Sequence, residues 1–446
     1  MSKHFRPWNI DQMLLLPPSV QDFVSKDHVS RFIVGLARES LDLRAITGSY
    51  VSGLGQPPFD PRMMVALLLH GYASGLYSSR RIARACCERN DFVMIVALDP
   101  PDFRTISDFR KRHLKALGEL FLQVLKLCET AGLVKLGHVA LDGTKIKANA
   151  SKHKAMSYER MKKREAELKA DVACMLAAAE AADAQEDETF GKDKRGDEMP
   201  DWASDKKKRL AKIQEAMAAL EAEAKLAAEE ERRIEAEKEQ QRNAEGRKKP
   251  GKPAAPPSDQ PDPKAQRNFT DPESRIMKSK EGFVQAYNAQ AAVDADAQII
   301  VAHELTQCGS DHGQLVPLVE AIENNLGRKP QQASADSGYC SEPNLEALVA
   351  RGIDGYVAPG RAKHPAAVNG KAGPLTQLMR KKIDDGGFET PYRLRKQVVE
   401  PVFGQIKEAR GFRQLLLRGV EKVRAEWAMI CTTHNLLKLF VLAKAA

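Results

Sequence analysis

Residues 136 to 150 read Leu-Gly-His-Val-Ala-Leu-Asp-Gly-Thr-Lys-Ile-Lys-Ala-Asn-Ala. From Thr144 to Ala148 the side chains alternate with a period of two, which predicts a β-strand. Asp142 interrupts the most apolar part of this stretch. A carboxylate at that point is either a strand-end acid with local partners or a functional group, and the rest of the chain decides between the two.

The chain after residue 271 predicts further strands that alternate with helices. The pattern first gives two strands, at 283–293 and 299–305, joined by a hairpin turn at 294–298. A helix at about 313–326, a strand at 331–336, a helix at 342–351 capped by Ser341 and a strand at 353–357 follow. The chain then continues with a basic loop at 360–387 and a mostly helical tail at 392–443. An antiparallel start followed by this alternation predicts a mixed sheet covered by helices on both faces, of the α/β class.

Residues 1–130 predict a helical region with clustered arginines. Asp60 and Pro61 form a helix-start signal just before an apolar run. The short helices that follow carry basic residues, among them Arg80, Arg81, Arg84 and Arg110. Short capped helices with clustered arginines are typical of helix-turn-helix DNA binding, and a helical bundle with a solvated basic face is the alternative.

Residues 151–270 have a different composition from the rest of the chain. Ala, Glu, Lys and Arg dominate 155–183 and 205–246, and a Pro-rich stretch follows Gly246. These residues form helices well but include too few apolar side chains for an independent core. We expect a long charged helical hairpin or a partly disordered insertion.

The composition of the whole chain favours a large soluble protein with an anionic partner. The 446 residues predict two or three domains, 43% of residues are hydrophobic, and the net charge of +9 favours nucleic acid. The seven cysteines include no C-x-x-C pair, which argues against disulfides or a zinc site and favours a reducing compartment. No signal peptide and no membrane-spanning run are evident, so we expect an intracellular protein.

Three carboxylates are candidates for one metal site. Asp142 lies in the first strand, Asp336 ends a later strand, and Glu400 lies in the last helical segment. Acids at the strand ends of such a sheet converge at one edge. Hard oxygen ligands suit Mg²⁺ or Mn²⁺, and two such ions stabilise both the attacking and the leaving oxygen of a phosphodiester displacement. The competing acids are Asp294, Asp296 and Asp311, which look like turn or cap residues, and Glu408.

Glu400 lies in the stretch Arg395-Lys-Gln-Val-Val-Glu-Pro-Val-Phe-Gly-Gln-Ile-Lys407. Offsets of four and seven lie on one face of a helix, so Lys396, Glu400 and Lys407 are predicted to form one column. A carboxylate between two cations suits a site that holds a metal ion and a phosphate. Pro401 disfavours a helix at Glu400, so either a kink lies there or the helix begins there.

With these motifs, the sequence resembles a known family, the DDE-type transposases of bacterial insertion sequences. The resemblance covers nearly the whole chain except the charged insertion. The motifs that carry it are Leu141-Asp-Gly-Thr-Lys-Ile-Lys-Ala-Asn149, Ala335-Asp-Ser-Gly-Tyr339, Val399-Glu-Pro-Val-Phe-Gly-Gln-Ile-Lys407, Asp271-Pro-Glu-Ser-Arg-Ile-Met277, Tyr287-Asn-Ala-Gln290 and the stretch from Thr105 to Arg110.

The resemblance implies a specific architecture. It implies an RNase H-like catalytic core with a five-stranded mixed sheet, formed by 131–150 and 271–446. An all-α domain at 1–130 binds DNA ends, and the charged insertion at 151–270 follows the first strand.

The resemblance also implies the chemistry of the site. Asp142, Asp336 and Glu400 are the catalytic residues and hold two Mg²⁺ or Mn²⁺ ions. The family has an Arg four residues before the Glu, where this chain has Lys396, and a Tyr at the position of Arg393, one residue from Tyr392. Lys396 and Lys407 are then expected to hold DNA phosphates, and Arg80, Arg81, Arg84 and Arg110 to contact DNA.

The implied activity is cleavage at terminal inverted repeats and joining of the freed 3′-hydroxyl ends to target DNA. Because two ends must be joined, a homodimer on double-stranded DNA is expected, with no membrane partner. Two alternatives stay open at this point. One is a catalytically inactive or domesticated DNA-binding relative, and the other is a nuclease without strand transfer.

Overall fold

The computed structural model describes residues 19–51, 57–190, 201–244, 256–279, 282–360, 373–386 and 390–445. The amino-terminal part is helical, as predicted. Its α-helices are α1 (Val29–Gly35), α2 (Arg44–Thr47), α3 (Pro61–Ala73), α4 (Ser79–Glu88), α5 (Asn90–Ile95), α6 (Phe103–Arg112) and α7 (Leu114–Thr130). At the start of α3, the Asp60 side chain accepts a hydrogen bond from the backbone N–H of Arg62, and Pro61 takes the first helical position. The helix-start signal at Asp60 is therefore confirmed.

A mixed sheet forms the second part of the molecule. Its strands are β1 (His138–Lys147), β4 (Arg275–Ser279), β5 (Gly282–Asp294), β6 (Ile300–Thr306), β7 (Gln332–Ala335) and β8 (Asp354–Val357). Strand β5 pairs antiparallel with β6 and with β1. On the other side of β1, β7 pairs parallel with β1, and β8 pairs parallel with β7. This is the predicted RNase H-like mixed sheet.

The sheet has one strand more than the five predicted. Strand β4 pairs antiparallel with the first residues of β5. It arises from the motif that begins at Asp271, whose side chain accepts the Tyr287 hydroxyl at 3.0 Å. The strand is five residues long and gains its hydrogen bonds from β5, so its own sequence carries little signal.

Helices cover both faces of the sheet. They are α10 (Leu315–Leu326), α11 (Glu342–Ala350), α12 (Pro374–Asp385), α13 (Pro391–Gly404) and α14 (Val420–Ala445). Helix α12 lies within the stretch predicted as a basic loop at 360–387, so the loop prediction is wrong for 374–385. The remainder of that loop includes 361–372 and 387, which lie outside the described residues. Among the described helices, none is long and apolar enough to cross a membrane.

Helix α13 continues through Pro401 rather than beginning there. A proline lacks the N–H that would bond the carbonyl four residues earlier, which here is that of Gln397. The Gln298 side chain, from the β5–β6 turn, donates to that carbonyl at 3.1 Å. Beyond Gly404 the chain forms a π-helix at Gln405–Ala409. The extra residue per turn rotates the residues that follow relative to Glu400.

The helical region and the sheet share one hydrophobic core. Phe412, from the segment between α13 and α14, lies against Tyr72 and Tyr77, with ring centroids 5.7 and 4.5 Å away. Buried Glu426 on α14 accepts backbone N–H groups of that segment, and its charge faces Arg110 of α6. The amino-terminal helices are therefore packed against the catalytic part of the fold.

The insertion after β1 is a helical hairpin in its described residues. Helices α8 (Tyr158–Phe190) and α9 (Asp201–Ala244) pack against each other, and β2 (Ala155–Ser157) pairs with β3 (Gln266–Asn268) at their base. A separate small apolar cluster, which includes Tyr158, Met161 and Ile213, joins the two helices. This agrees with the expectation of a charged helical hairpin.

Candidate active site

Asp142 lies where β1 loses its neighbour on one side. Strand β5 pairs with β1 as far as Lys147, whereas β7 pairs with β1 only up to Ala140. The Asp142 side chain is therefore placed beside an open edge, and 21% of it is exposed. The backbone N–H of Gly143 donates to its Oδ1 at 2.8 Å.

Asp336 follows the last residue of β7. The parallel register pairs Ser334 with Ala140, and continuing it by two residues brings Asp336 to the level of Asp142. Its Oδ1 accepts the N–H of Gly338 at 2.8 Å, at the start of the short turn Ser337–Tyr339. Asp336 thus lies just past the end of β7, at the level of Asp142 in the middle of the neighbouring strand β1. Active sites of such sheets form at the carboxyl ends of strands, as at Asp336.

Burial of the Asp142 carboxyl raises its pKa to about 6. The Arg395 guanidinium opposes this rise, whereas the negative charges of Asp336 and Asp311 add to it. The same three carboxylates act on the buried Tyr339 hydroxyl, whose pKa is raised first by burial and then by their charges. Concentrated negative charge around Asp142 is the electrostatic condition that favours a bound cation.

Arg395 is the cation that the structure places at Asp142. Its Nη1 lies 3.1 Å from Asp142 Oδ2, and the residue is 8% exposed on the buried face of α13. Its Nε is buried without a hydrogen-bond partner. Lys396 lies four residues before Glu400, at the position expected for the family's Arg. Its side chain is exposed. The sequence did contain a signal for Arg395, since Tyr392 and Arg395 keep the family's Tyr-to-Arg spacing.

Glu400 is exposed on α13. Across the described residues, no group of three or more His, Cys, Asp or Glu side chains is placed to hold a metal ion. The structure therefore brings together two of the three predicted acids.

Lys407 contacts β1 rather than lying above Glu400. Its Nζ donates to the Thr144 hydroxyl at 2.5 Å and to the carbonyl of Lys145 at 2.8 Å. Thr144 shares the face of β1 that carries Asp142, since side chains two residues apart lie on the same face. Lys396 and Glu400 are exposed four residues apart on α13, as the predicted column requires. Lys407 departs from that column, because the π-helix after Gly404 changes the helical phase.

The donors at this site suit a hard divalent cation. The carboxylates of Asp142 and Asp336 are oxygen ligands of the kind that Mg²⁺ and Mn²⁺ prefer. No thiol or imidazole takes part in the contacts described for Asp142 and Asp336.

Comparison with protein families places this site in a known context. Residues 361–440 match the family model of a transposase DDE domain, and residues 18–112 match that of a transposase domain (DUF772). Both matches are to transposase families, so two segments of the chain are similar to those of DDE-type insertion-sequence transposases. The matches include Arg395, Glu400 and Lys407 but neither Asp142 nor Asp336. No curated protein and no solved structure was found to match the chain.

The similarity to these two families indicates the function in outline. A DDE transposase domain implies an enzyme that cleaves and transfers nucleic acid, and it implies DNA as the partner. The family generally uses a divalent metal. These statements agree with the oxygen donors of the site and with the basic charge of the transposase.

Three of the predicted DNA contacts lie on the surface of α4. Arg80, Arg81 and Arg84 are exposed there. Arg84 pairs with Glu88 at 2.7 Å, and the Arg80 guanidinium lies over the ring of Phe103 at 5.1 Å. The surface formed by Arg80, Arg81 and Arg84 is called the α4 basic face below.

Arg110 does not belong to this surface. It is 8% exposed, and its guanidinium donates to the Tyr72 hydroxyl, the carbonyl of Tyr77 and the Ser79 hydroxyl at 3.2, 2.9 and 3.2 Å. Arg110 therefore joins α6 to the α3–α4 connection. Its burial disfavours the expected contact with DNA, and a basic residue at helical spacing gave no information on which face it occupies.

Proposed function

We propose that this transposase binds the terminal inverted repeats of its insertion sequence, cleaves a phosphodiester at each end and joins the freed ends to target DNA. In the first step a water oxygen attacks phosphorus and the 3′ oxygen leaves. In the second step that 3′-hydroxyl attacks a target phosphodiester and displaces another 3′ oxygen. Each step exchanges one phosphorus–oxygen bond for another, so neither needs an external energy source.

The observation that carries this proposal is that Asp336, at the end of β7, lies level with Asp142 on the neighbouring strand β1, in a chain similar to DDE transposases. Together with Glu400 they are the acids that we assign to metal binding. Glu400 lies on the same helix as Arg395, which pairs with Asp142 at 3.1 Å.

Two Mg²⁺ or Mn²⁺ ions at these acids would stabilise charge on the attacking and leaving oxygens. The chain itself supplies the positions of the reacting groups. Lys407 is held against β1 next to Asp142, where its ammonium group can bind a DNA phosphate. Arg395 neutralises Asp142 from the opposite side of the carboxylate and completes the positive surroundings of a phosphate.

The α4 basic face is the surface that we assign to the transposon ends, and exposed Lys396 extends the DNA contact at α13. Phosphate contacts by such residues supply affinity and orientation. Because two ends are joined in one event, the active form is expected to be a homodimer on DNA.

The alternative of an inactive DNA-binding relative is disfavoured by the paired acids, since a protein that only binds DNA has no need of two carboxylates in a partly buried, negatively charged site. A nuclease without strand transfer uses the same acids, and only a joining assay separates it from a transposase.

Cleavage of a labelled duplex that carries one element end tests the assignment. Asp142→Asn and Asp336→Asn are each expected to lower the cleavage rate by at least about 1,000-fold, because each removes a charged metal ligand, while end binding persists. Asp296→Asn is the matched control, since Asp296 lies exposed in the β5–β6 turn. Retention of cleavage by Asp142→Asn would contradict the proposal.

A further inference from the structure

Asp311 is a carboxylate that converges with two amide side chains behind the catalytic strand. Its Oδ1 accepts from Asn288 Nδ2 at 2.6 Å and from Gln290 Nε2 at 2.7 Å. Lys145 Nζ lies 3.4 Å from the same oxygen. The motif Tyr287-Asn-Ala-Gln290 thus has a defined structural partner in the segment between β6 and α10.

This cluster lies on the face of β1 that is opposite to Asp142. Successive side chains of a strand point to opposite faces, so Gly143 and Lys145 share one face and Asp142 shares the other with Thr144. The β1–β5 register pairs Gly143 with Gln290 and Lys145 with Asn288. Arg395 therefore supports β1 from the front and Asp311 supports it from behind.

Gly143 lets this cluster approach the backbone beside Asp142. A Cβ at that position would lie 2.2 Å from Gln290 Nε2, 2.8 Å from Asp311 Oδ1 and 3.0 Å from Asn288 Oδ1. All three distances are too short for a side chain, so glycine is required here. The backbone directly after Asp142 is therefore in contact with Asp311 and its amide partners.

The same carboxylate reaches the turn that follows Asp336. A Cβ on Gly338 would lie 3.0 Å from Asp336 Oδ1 and 3.4 Å from Asp311 Oδ2. Asp336 Oδ1 and Asp311 Oδ2 are therefore at most about 6.4 Å apart, because both lie close to that one Cβ position. Gln290 extends the connection, because its Oε1 accepts the hydroxyl of Tyr339 in the same turn.

We propose that Asp311 is a positioning residue of the transposase site. It ties the backbone after Asp142 to the turn after Asp336 and thereby sets the separation of the two carboxylates that receive the divalent cation. Asp311 acts through these neighbours and does not itself touch DNA. The inference rests on the proposed function of Asp142 and Asp336.

The physical reason is that one charged acceptor satisfies several buried donors from separate elements. Hydrogen bonds to a carboxylate are about twice as strong as those between neutral groups. Without the charge, the hydrogen bonds from the amides of Asn288 and Gln290 weaken, and β1 and the turn after β7 are free to shift. A displacement of about 1 Å at a reacting group costs on the order of 100-fold in rate.

Mn²⁺ binding tests this directly. The full-length protein is mixed with a duplex carrying an element end, and free Mn²⁺ is measured by electron paramagnetic resonance. Asp311→Asn is expected to weaken Mn²⁺ binding about 10-fold and to raise the Mn²⁺ concentration that half-saturates cleavage by a similar factor. End binding and circular dichroism are expected to match those of the Asp296→Asn control. Unchanged Mn²⁺ affinity in folded Asp311→Asn would overturn the inference.

A second variant keeps the test decisive if Asp311→Asn does not fold. Gln290→Met keeps the length of the side chain and removes the amide that links Asp311 to Tyr339. Weakened Mn²⁺ binding is expected again, and unchanged affinity in this folded variant would also count against the inference.

Asp142→Asn in the same titration separates the two proposals. If Asp142→Asn loses Mn²⁺ binding and cleavage while Asp311→Asn and Gln290→Met keep wild-type affinity, the role of Asp311 fails and the proposed function stands. If Asp142→Asn still cleaves, the proposed function itself fails.

Discussion

At the scale of single residues, the Asp142–Arg395 pair sets the electrostatics of the site. Arg395 is largely buried and meets Asp142 at 3.1 Å. Removing one partner of a buried pair leaves the other charge unbalanced, which costs more than the pair contributes to stability. Arg395 therefore has a structural role in the absence of DNA, in addition to its proposed role at a phosphate.

Arg395→Met is expected to lower the free energy of unfolding by about 3 kcal/mol, because it leaves Asp142 without its cation. Lys396→Met is the control on the adjacent, exposed residue, and its expected effect is within about 0.5 kcal/mol. Urea denaturation measures both. Adding Asp142→Asn to Arg395→Met should recover part of the lost stability. Equal losses of stability in Arg395→Met and Lys396→Met would refute the pairing.

The sequence pattern selected Asp142 and Asp336 as candidates, because Asp142 interrupts an apolar strand and Asp336 ends another. It selected Lys396 over Arg395 because it counted four residues back from Glu400 along an ideal helix. It treated Asp311 as a helix cap, since its partners Asn288 and Gln290 lie on a distant strand. Contacts of that kind depend on tertiary packing, which local patterns do not encode.

At the scale of elements, Gln298 in the β5–β6 turn joins α13 to α14. Its side chain donates to the carbonyl that Pro401 leaves free, and its own carbonyl lies 2.9 Å from His434 Nε2 on α14. His434 is 2% exposed. Burial, followed by the nearby charge of Arg410, lowers the pKa of His434 from 6.5 to about 3. The imidazole is therefore neutral in the folded protein.

The pH dependence of stability follows from this lowered pKa. Unfolded His434 takes up a proton below about pH 6.5, whereas the folded form does so only near pH 3, so acid favours the unfolded chain. Between pH 7.5 and pH 5 this one residue should cost about 2 kcal/mol of stability. His434→Gln removes that part of the pH dependence, and thermal unfolding at the two pH values measures it.

His312→Gln is the matched control, because His312 is exposed. It should leave the difference in stability between pH 7.5 and pH 5 unchanged. The account of His434 is wrong if His434→Gln and the wild type lose the same stability over this range.

Element-level prediction succeeded where a strand or helix has a long periodic pattern. The β5–β6 hairpin, β7, α11 and β8 lie within a few residues of their predicted positions. Strand β4 was missed because β5 stabilises it, and α12 was missed within a stretch predicted as a loop. The path of α13 through Pro401 depends on a hydrogen bond from Gln298, 99 residues earlier in the chain.

At the scale of the whole molecule, the amino-terminal helices and the sheet form one hydrophobic core, and the helical hairpin extends from the end of β1. The α4 basic face is thus carried on the same packed body as Asp142 and Asp336. Such a body fixes the distance between a bound DNA end and the catalytic acids. This arrangement suits an enzyme that must cut and join DNA at one defined position.

The central claim is that one site, built on Asp142 and Asp336, both cleaves the element end and joins it to target DNA. The most direct measurement uses a precut end duplex with a free 3′-hydroxyl, a supercoiled target plasmid and Mn²⁺. Wild-type protein is expected to join the end to the plasmid, and Asp142→Asn is expected to bind the end without joining it. Joining by Asp142→Asn, or cleavage without any joining by the wild type, would contradict the claim.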